Sequence, residues 1–337
     1  DAGTGAQTNL QHALVVYAKN GKLYKISLAS GDSHTPQQFS SLSSVCALVN
    51  EFDDGTLGDT YLVVQSLNAQ SQCAQNTVPG DTLSLVKVSA GTADAGIAQN
   101  GRAIEGRIIG SAGTLTGFLV KETSGATVTL RSEDTTLANP VDLLTLTSGS
   151  FVDDPVGSAF ISGIGELDYF TAQASGASNR ALYRYSPASN SAPKIQDLAS
   201  QSGGFGSADA SAYYYADGGT LNKVAHSSTT PSVLLTRTLG TGESLAIPGL
   251  SPTRLVFTDT GSSKATLESM LKDGSGAVTI DSATFTAPNT TSFDVLPGVS
   301  ERLFYTHSDT IISGASFSQT DSAHQVMTDG SGAITTA

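Results

Sequence analysis

The sequence predicts an all-β fold: one β-propeller with seven four-stranded blades, with six or eight blades as the alternatives. Three observations predict it. Strand hairpins recur at roughly 45 to 55 residues, two repeats end in nearly identical turns, and helical patterns are almost absent. The chain has 337 residues, of which 39% are hydrophobic and 14% are charged. This composition supplies a sizeable core and is too apolar for a disordered chain.

The first strand of each repeated hairpin is β-branched and aromatic, as strands prefer. In the first repeat, Asn20-Gly21 is a hairpin turn signal, and the run 22–28 after it alternates with period two. The first runs start at Leu14, Tyr61, Phe118, Asp168, Ala212, Leu255 and Leu303. The corresponding second runs are 22–28, 82–88, 127–131, 181–185, 220–224, 266–271 and 325–328.

A third strand follows a tight turn in each repeat. The segments 272–279 and 328–335 are near-copies, and both contain Asp-Gly-Ser-Gly. Glycine in such a turn supplies the positive φ that it requires. Apolar runs between the hairpins are predicted to be innermost strands, at 45–52, 103–109, 245–248 and 293–297. Four strands in each of about seven units predict a propeller, whose radial repetition leaves only short strand edges.

The repeat unit resembles the repeats of periplasmic TolB-like propellers and related bacterial lipoprotein propellers. The residues that carry the resemblance are Leu23–Ile26, Leu182–Tyr185, Asp273–Ile280 and Asp329–Thr335. The resemblance is one of architecture. It implies an exported bacterial protein of the periplasm, the outer membrane or the extracellular space, with partners in the cell envelope.

The expected domain organisation is a flexible tether over 1–10 and a single propeller over 11–337. Residues 1–9 lack the charged and apolar regions of a signal peptide, so this start has the character of a mature or trimmed N-terminus. It resembles the segment that follows the lipid-bearing cysteine of bacterial lipoproteins. No stretch approaches the roughly 20 apolar residues of a membrane helix.

Cys46 and Cys73 are the two cysteines of the chain. A zinc site is disfavoured because no third or fourth ligand lies near them. A disulfide is the preferred interpretation, and it indicates an oxidising compartment. It would stabilise the fold by about 3 kcal/mol in the chain-entropy model. Two unrelated buried thiols are the alternative.

The formal net charge is −13, and lysine and arginine form no run. Nucleic acid and anionic membranes are therefore not expected as partners, because both require clustered positive charge. The acidic residues are spread along the chain and favour solubility. A surface for cations or a basic partner is the alternative.

No motif assigns a catalytic, cofactor-binding or metal-binding residue. The chain has no Trp, which excludes sialidase-type, quinoprotein and WD repeats, and it contains no hydrolase elbow, zincin motif or phosphate loop. The five histidines occur singly and are expected to be solvated or packed in turns. They are His12, His34, His226, His307 and His324. His307, which lies near Asp309 at the end of a strand, is the strongest candidate among them for a metal ligand or a general base.

Two carboxylate pairs, Asp53-Asp54 and Asp153-Asp154, are expected to be turn residues. A calcium loop at 50–55 is disfavoured because Phe52 occupies a ligand position. Asn289 starts a formal glycosylation sequon, which has no meaning in a bacterial protein.

The sequence therefore favours a noncatalytic, monomeric binding module whose rim loops hold an envelope or extracellular protein or a glycan. One alternative is a glycan hydrolase or lyase, with Asp53, Asp54, Asp153, Asp154 and His307 as candidate residues at the channel mouth. The other alternative is a structural surface component.

Overall fold

Seven antiparallel sheets, built from consecutive strands, make up the fold. The computed structural model describes residues 7–9, 14–28, 32–53, 60–67, 73, 82–89, 97–98, 102–147, 151–152, 156–200, 203–296, 300–313 and 316–336. Strands, turns and irregular segments account for all of these ranges, and no helix occurs within them. This organisation is that of a β-propeller with seven blades, so the predicted fold class is confirmed.

The chain divides into two compact units, and the first comprises Asp1–Asp154, Phe160–Glu166 and Ser186–Ala192. Its three sheets are four-stranded. The first contains β1 (Gln7–Asn9), β2 (Leu14–Lys19), β3 (Lys22–Ser27) and β4 (Gln37–Gln38). The second contains β5 (Val45–Asp53), β6 (Thr60–Ser66), β7 (Thr82–Lys87) and β8 (Ile97–Ala98). The third contains β9 (Arg102–Ile109), β10 (Leu115–Ser124), β11 (Thr127–Asp134) and β12 (Val141–Thr147).

The second unit comprises Pro155–Ala159, Leu167–Tyr185 and Pro193–Ala337. The fourth sheet takes its residues from the ranges of both units and has the order β13-β15-β16-β17 with β14 beside β15. Its strands are β13 (Phe151–Val152), β14 (Gly157–Ile161), β15 (Gly165–Gln173), β16 (Ala181–Tyr185) and β17 (Lys194–Asp197). The fifth contains β18 (Gly206–Ala208), β19 (Ala212–Asp217), β20 (Thr220–Ala225) and β21 (Ser232–Thr236). The sixth contains β22 (Ser244–Leu250), β23 (Arg254–Thr260), β24 (Lys264–Leu271) and β25 (Val278–Thr284). The seventh contains β26 (Thr290–Leu296), β27 (Arg302–Ser313), β28 (Ser316–Met327) and β29 (Ile334–Thr336).

The predicted strand types occupy fixed places in these sheets. The aromatic first runs of the hairpins lie in β2, β6, β10, β15, β19, β23 and β27. The apolar runs predicted as innermost strands lie in β5, β9, β22 and β26, each of which precedes its hairpin. The sequence period is therefore the blade period.

Central strands are buried on both faces, and this explains their continuous apolar sequences. Val64 of β6 packs in a core cluster with residues of the first sheet, whereas the adjacent Val63 packs in a cluster with residues of the third. In the second unit, Phe257 and Val256 of β23 face the fifth and seventh sheets respectively. Because alternate side chains point to opposite faces of a strand, sheet-on-sheet packing on both sides requires apolar residues at successive positions.

The turn chemistry follows the sequence prediction. Asn20 and Gly21 adopt φ values of 50° and 75°, as a two-residue hairpin turn requires. In the near-copies, Gly274 and Gly330 adopt φ values of 91° and 82°. The carboxylate of Asp273 accepts hydrogen bonds from the Ser275 amide at 2.9 Å and hydroxyl at 2.7 Å, and Asp329 makes the same bonds with Ser331. Identical sequences thus build identical turns.

The N-terminal segment corrects one sequence expectation. Gln7–Asn9, which the sequence placed in a flexible tether, form β1 and pair with β2 in the register Gln7 to Val16. Edge pairing uses backbone groups and needs no apolar pattern, so the composition gave no signal of it. The rest of the 1–10 segment lies outside the described residues. A single domain over 11–337 remains a prediction.

Cys46 of β5 and Cys73 form the predicted disulfide, with a Cα–Cα distance of 5.7 Å. Within the ranges described, no helix is long and apolar enough to cross a membrane.

Candidate functional site

The seventh sheet carries a hairpin that extends past its neighbouring strands. β27 and β28 are 12 residues long, and they pair from Arg302 with Met327 to Ser313 with Ser316. β26 pairs with β27 only as far as Thr310, and β29 pairs with β28 only from Ala323 onward. Beyond Thr310 the two strands of the hairpin pair with each other, and the Asn289 side-chain oxygen accepts a hydrogen bond from the Ile312 amide at 2.9 Å.

One face of this hairpin changes from apolar to polar along its length. The alternating residues Leu303, Tyr305, His307, Asp309 and Ile311 lie on that face. Leu303 and Tyr305 are 2% and 7% exposed and pack in a cluster with Val256 and Leu267 of the sixth sheet. Ile311 is 52% exposed. The packing between the sixth and seventh sheets therefore ends near His307.

Three potential metal ligands meet where this packing ends, and we call Asp281, His307 and His324 the histidine cluster. One ligand atom from each residue lies within 4.8 Å of the other two. His307 Nδ1 and Asp281 Oδ2 are 3.0 Å apart. Asp281 comes from β25 of the sixth sheet, whereas the histidines come from β27 and β28. The register pairs His307 with Ser322 and Tyr305 with His324, which places the two imidazoles as diagonal neighbours.

Polar groups orient both imidazoles of the histidine cluster. His307 Nε2 lies 3.3 Å from Asp309 Oδ1, and the Thr291 hydroxyl donates to the same oxygen at 2.6 Å. His324 Nε2 lies 2.8 Å from the Ser322 hydroxyl. The His324 ring stacks on Tyr305 at 4.8 Å between centroids. Side-chain contacts therefore limit the rotation of each ring.

The Tyr305 hydroxyl donates to Asp281 Oδ2 at 3.0 Å. Burial and the adjacent Asp281 carboxylate raise the pKa of this phenol. The phenol is consequently protonated at neutral pH and holds the Asp281 oxygen that faces His307.

Ile311, Ile312 and Phe317 are exposed apolar residues at the end of the hairpin, and we call them the hairpin tip; Ile312 and Phe317 share one face, and Ile311 lies on the other. Phe317 is 76% exposed, and Ile312, its direct cross-strand partner, is 38% exposed. Asp321 lies on the face of Ile312 and Phe317, and Asp309 lies on the face of Ile311. An exposed aromatic residue with neighbouring aliphatic residues is typical of a protein-binding surface.

A groove of about 250 Å³ in the first unit is lined by Arg107, Ile109, Gly113, Phe160 and Glu166. Arg107 makes a bidentate ion pair with Glu166 at 3.0 and 3.3 Å. Its guanidinium also donates to the Asp53 carbonyl at 3.3 Å. The Arg107 guanidinium is therefore paired with protein groups. The main exposed group that the groove presents to a ligand is the half-exposed Phe160 ring.

Of the carboxylates predicted as alternative catalytic groups, Asp53 is the one that lies within the described residues. Asp53 ends β5, where its carbonyl contacts Arg107. Asp54, Asp153 and Asp154 lie outside the described residues, as does Gly55 of the 50–55 loop.

The histidines divide into two kinds. His34 is exposed in a turn, and His226 packs in a turn between Tyr169 and the Asp209 carbonyl, as expected. His12 lies outside the described residues.

His307 contacts Asp309, which was the exception the sequence identified, but its proximity to His324 and Asp281 was not anticipated. The signal that could have found it is the cross-strand register, since Tyr305 and His324 pair directly.

Solved structures similar to this chain are β-propeller proteins. A prolyl endopeptidase, from a study of two such enzymes, has a TM-score of 0.52 and 12% identity, covering 98% of this chain and 47% of that chain. Prolyl oligopeptidase B from Galerina marginata, as a variant bound to a 25-residue macrocyclization substrate, has a TM-score of 0.51 and 10% identity, covering 96% of this chain and 49% of that chain. A putative TolB from Agrobacterium tumefaciens has a TM-score of 0.36 and 12% identity, covering 83% of this chain and 81% of that chain.

The similarity to the two peptidases shows the fold alone. The chain spans about half the length of the two peptidases. No family model and no curated protein matches the sequence.

Proposed function

We propose that this protein is a noncatalytic binding module of the cell envelope or extracellular space that holds a protein partner through the hairpin tip. The observation that carries the proposal is Phe317, which is 76% exposed at the end of a hairpin extending beyond its sheet. The Phe317 ring and its cross-strand partner Ile312 leave apolar area in water that a protein pocket can cover, and Ile311 adds apolar area on the opposite face.

The charges around the hairpin tip define the chemistry of the partner. Asp309 and Asp321 flank the apolar residues, and the whole chain is acidic, with a net charge of −13. A complementary surface would be an apolar pocket bordered by basic side chains, because complementary potentials guide association and disfavour wrong partners. A glycan would instead be expected to meet aromatic platforms with many hydrogen-bonding groups, which the tip does not offer.

The disulfide supports the proposed location in the cell envelope or extracellular space. The Cys46–Cys73 disulfide persists in an oxidising compartment, where cytosolic reductants do not reach it. A propeller also suits presentation of a loop or hairpin, because its sheets form a rigid frame.

Site-specific photo-crosslinking tests the proposal. A benzophenone amino acid replaces Phe317 in one protein and Val233 in the control, since Val233 is also an exposed apolar residue, 60% exposed, on β21. Both proteins are irradiated in extract of the producing cells. We expect one discrete protein adduct at 317 that unlabelled wild type suppresses and the Phe317→Ser variant does not, with no such adduct at 233.

Three outcomes would contradict the proposal. The first is an adduct at 317 that Phe317→Ser suppresses as well as wild type does. The second is a glycan-array signal that is unchanged in Phe317→Ser, which would place glycan recognition elsewhere. The third is concentration-dependent light scattering that Phe317→Ser abolishes, which would make the partner a second copy of this chain. Phe317→Ser should unfold at the wild-type temperature, because exposed substitutions change stability by less than about 0.5 kcal/mol.

A further inference from the structure

We infer that the histidine cluster is a binding site for Zn²⁺ or a divalent transition ion of similar preference, with Asp281, His307 and His324 as ligands. The site is distinct from the hairpin tip and does not depend on it. Two imidazoles with one carboxylate suit zinc and its first-row neighbours, whereas Ca²⁺ and Mg²⁺ take oxygen ligands.

The spacing of the ligand atoms is close to what zinc requires. Ligand atoms at about 2.1 Å from a tetrahedral ion lie about 3.4 Å from one another. His307 Nδ1 and Asp281 Oδ2 are 3.0 Å apart, and all three ligand atoms fit within 4.8 Å. No separation among the three ligand atoms therefore exceeds the tetrahedral value by more than about 1.4 Å.

The residues around the ligands are those that metal-binding histidines use. A ligating imidazole commonly donates its second ring N–H to a carboxylate, which fixes its tautomer and orientation. Asp309 is placed to accept that bond from His307 Nε2, at 3.3 Å, and Thr291 in turn donates to Asp309. With the Nε2 proton directed to Asp309, the Nδ1 lone pair of His307 points toward Asp281, where the ion would lie.

Asp281 and His324 are supported in the same way. The Tyr305 hydroxyl donates to Asp281, and Ser322 contacts His324 Nε2. The ligand side chains are half-buried, with 17% exposure for His307 and 21% for Asp281. An ion held by three protein ligands here keeps a fourth position for water or for a donor atom of a bound molecule.

An ion at this position would join two sheets of the second unit. Asp281 belongs to the sixth sheet, and both histidines belong to the base of the long hairpin in the seventh. Coordination would therefore add a bond between the two sheets where their apolar packing ends, and it would stabilise the folded state in proportion to ion occupancy.

Titration calorimetry of tag-free, EDTA-treated protein with ZnCl₂ tests this inference. We expect one Zn²⁺ per chain, competition by Co²⁺ but not by Mg²⁺, and an intense visible d–d band in the Co²⁺ protein. His324→Gln should abolish stoichiometric binding, and Asp309→Asn should weaken it by about 10- to 100-fold. The matched control is His34→Gln, which removes an exposed imidazole from the first sheet and should bind Zn²⁺ as wild type does.

Two results would overturn the inference. One is the absence of stoichiometric Zn²⁺ uptake by a wild-type protein whose circular dichroism shows intact β structure, which would leave His307 as an imidazole held between two carboxylates. The other is equal Zn²⁺ affinity in wild type, His324→Gln and Asp309→Asn. Asp309→Asn guards against loss of folding, since its side chain is 52% exposed.

Discussion

Lys272 Nζ lies 2.7 Å from Asp209 Oδ2 and so connects the turn before β19 of the fifth sheet with the turn after β24 of the sixth. The other carboxylate oxygen of Asp209 accepts hydrogen bonds from the amides of Ser211 at 2.7 Å and Ala212 at 3.0 Å. Burial opposes ionisation of this carboxyl, but the bonds from Lys272 and Ser211 outweigh it and hold its pKa at about 2.

Asp209→Asn should reduce stability by about 1 kcal/mol at pH 7, because the substituted amide keeps the turn but loses the ion pair, which is partly screened by solvent. Because the carboxyl pKa is lower in the folded state, the ionised carboxylate stabilises the fold at pH values above the unfolded-state pKa of about 4. This contribution is lost as the pH falls toward 2. The variant should therefore lose less stability than wild type between pH 4 and 2 in urea titrations. Asp294→Asn, an exposed change on β26, is the control and should follow wild type; an identical acid profile for Asp209→Asn would contradict the assignment.

His226→Gln should flatten the pH dependence of stability between pH 7 and 5. Burial lowers the pKa of His226, whose Nε2–H donates to the Asp209 carbonyl at 2.6 Å while Nδ1 accepts from the Tyr169 hydroxyl at 2.8 Å. The unfolded state binds the proton first as the pH falls through about 6.5, so wild type loses stability there. Thermal unfolding at several pH values measures the slope. The exposed His34→Gln should retain the wild-type slope, and a retained slope in His226→Gln would reject the role of this residue.

Replacing both Cys46 and Cys73 by Ser should lower the free energy of unfolding by about 3 kcal/mol, because the unfolded chain gains conformational freedom. Dithiothreitol should lower the stability of wild type toward that of the double variant and leave the variant unchanged. Mass spectrometry of nonreduced, alkylated protein supplies a direct check: the wild type should take up no label. Full alkylation of freshly isolated native protein would show that the pair is reduced and would remove the main support for export.

Arg237→Met should cost about 2 kcal/mol, since it strands two carboxylates that are largely screened from water. The guanidinium pairs with Glu268 at 2.6 and 2.8 Å and with Asp259 at 2.7 Å, and it lies over the Phe257 ring. Arg237→Lys should recover only part of the lost stability. The ammonium keeps the positive charge but cannot form the bidentate contact. Lys194→Met removes an exposed pair with Asp197 and should cost less than about 0.5 kcal/mol in the same denaturation series. Equal losses in the Arg237 and Lys194 variants would contradict the importance of burial.

Much of the fold could be predicted because local chemistry and sheet pairing agree. Asn20-Gly21 and the Asp273 and Asp329 turns adopt the conformations that their sequences favour. The apolar runs form the strands that are buried on both faces. The polar segment Gln7–Asn9 was misjudged because strand pairing at an edge depends on main-chain bonds and leaves no mark in side-chain composition.

The candidate sites were less predictable. His307 with Asp309 is a short-range pair and was visible in the sequence. The contact of His307 with His324 depends on the register of two long strands, and the contact with Asp281 depends on packing between two sheets. The exposure of Phe317 could not be predicted from the sequence either, since aromatic residues of the other hairpins, such as Phe118, are buried.

By itself, the sequence determined the repeat and the turn types, and it favoured seven blades and a disulfide over their alternatives, because these features follow from residue spacing or from local backbone preference. Tertiary structure alone decided which polar groups share a site and which apolar residues remain in water. Those outcomes depend on register and on sheet-to-sheet packing, which bring together residues that the sequence pattern treats as unrelated.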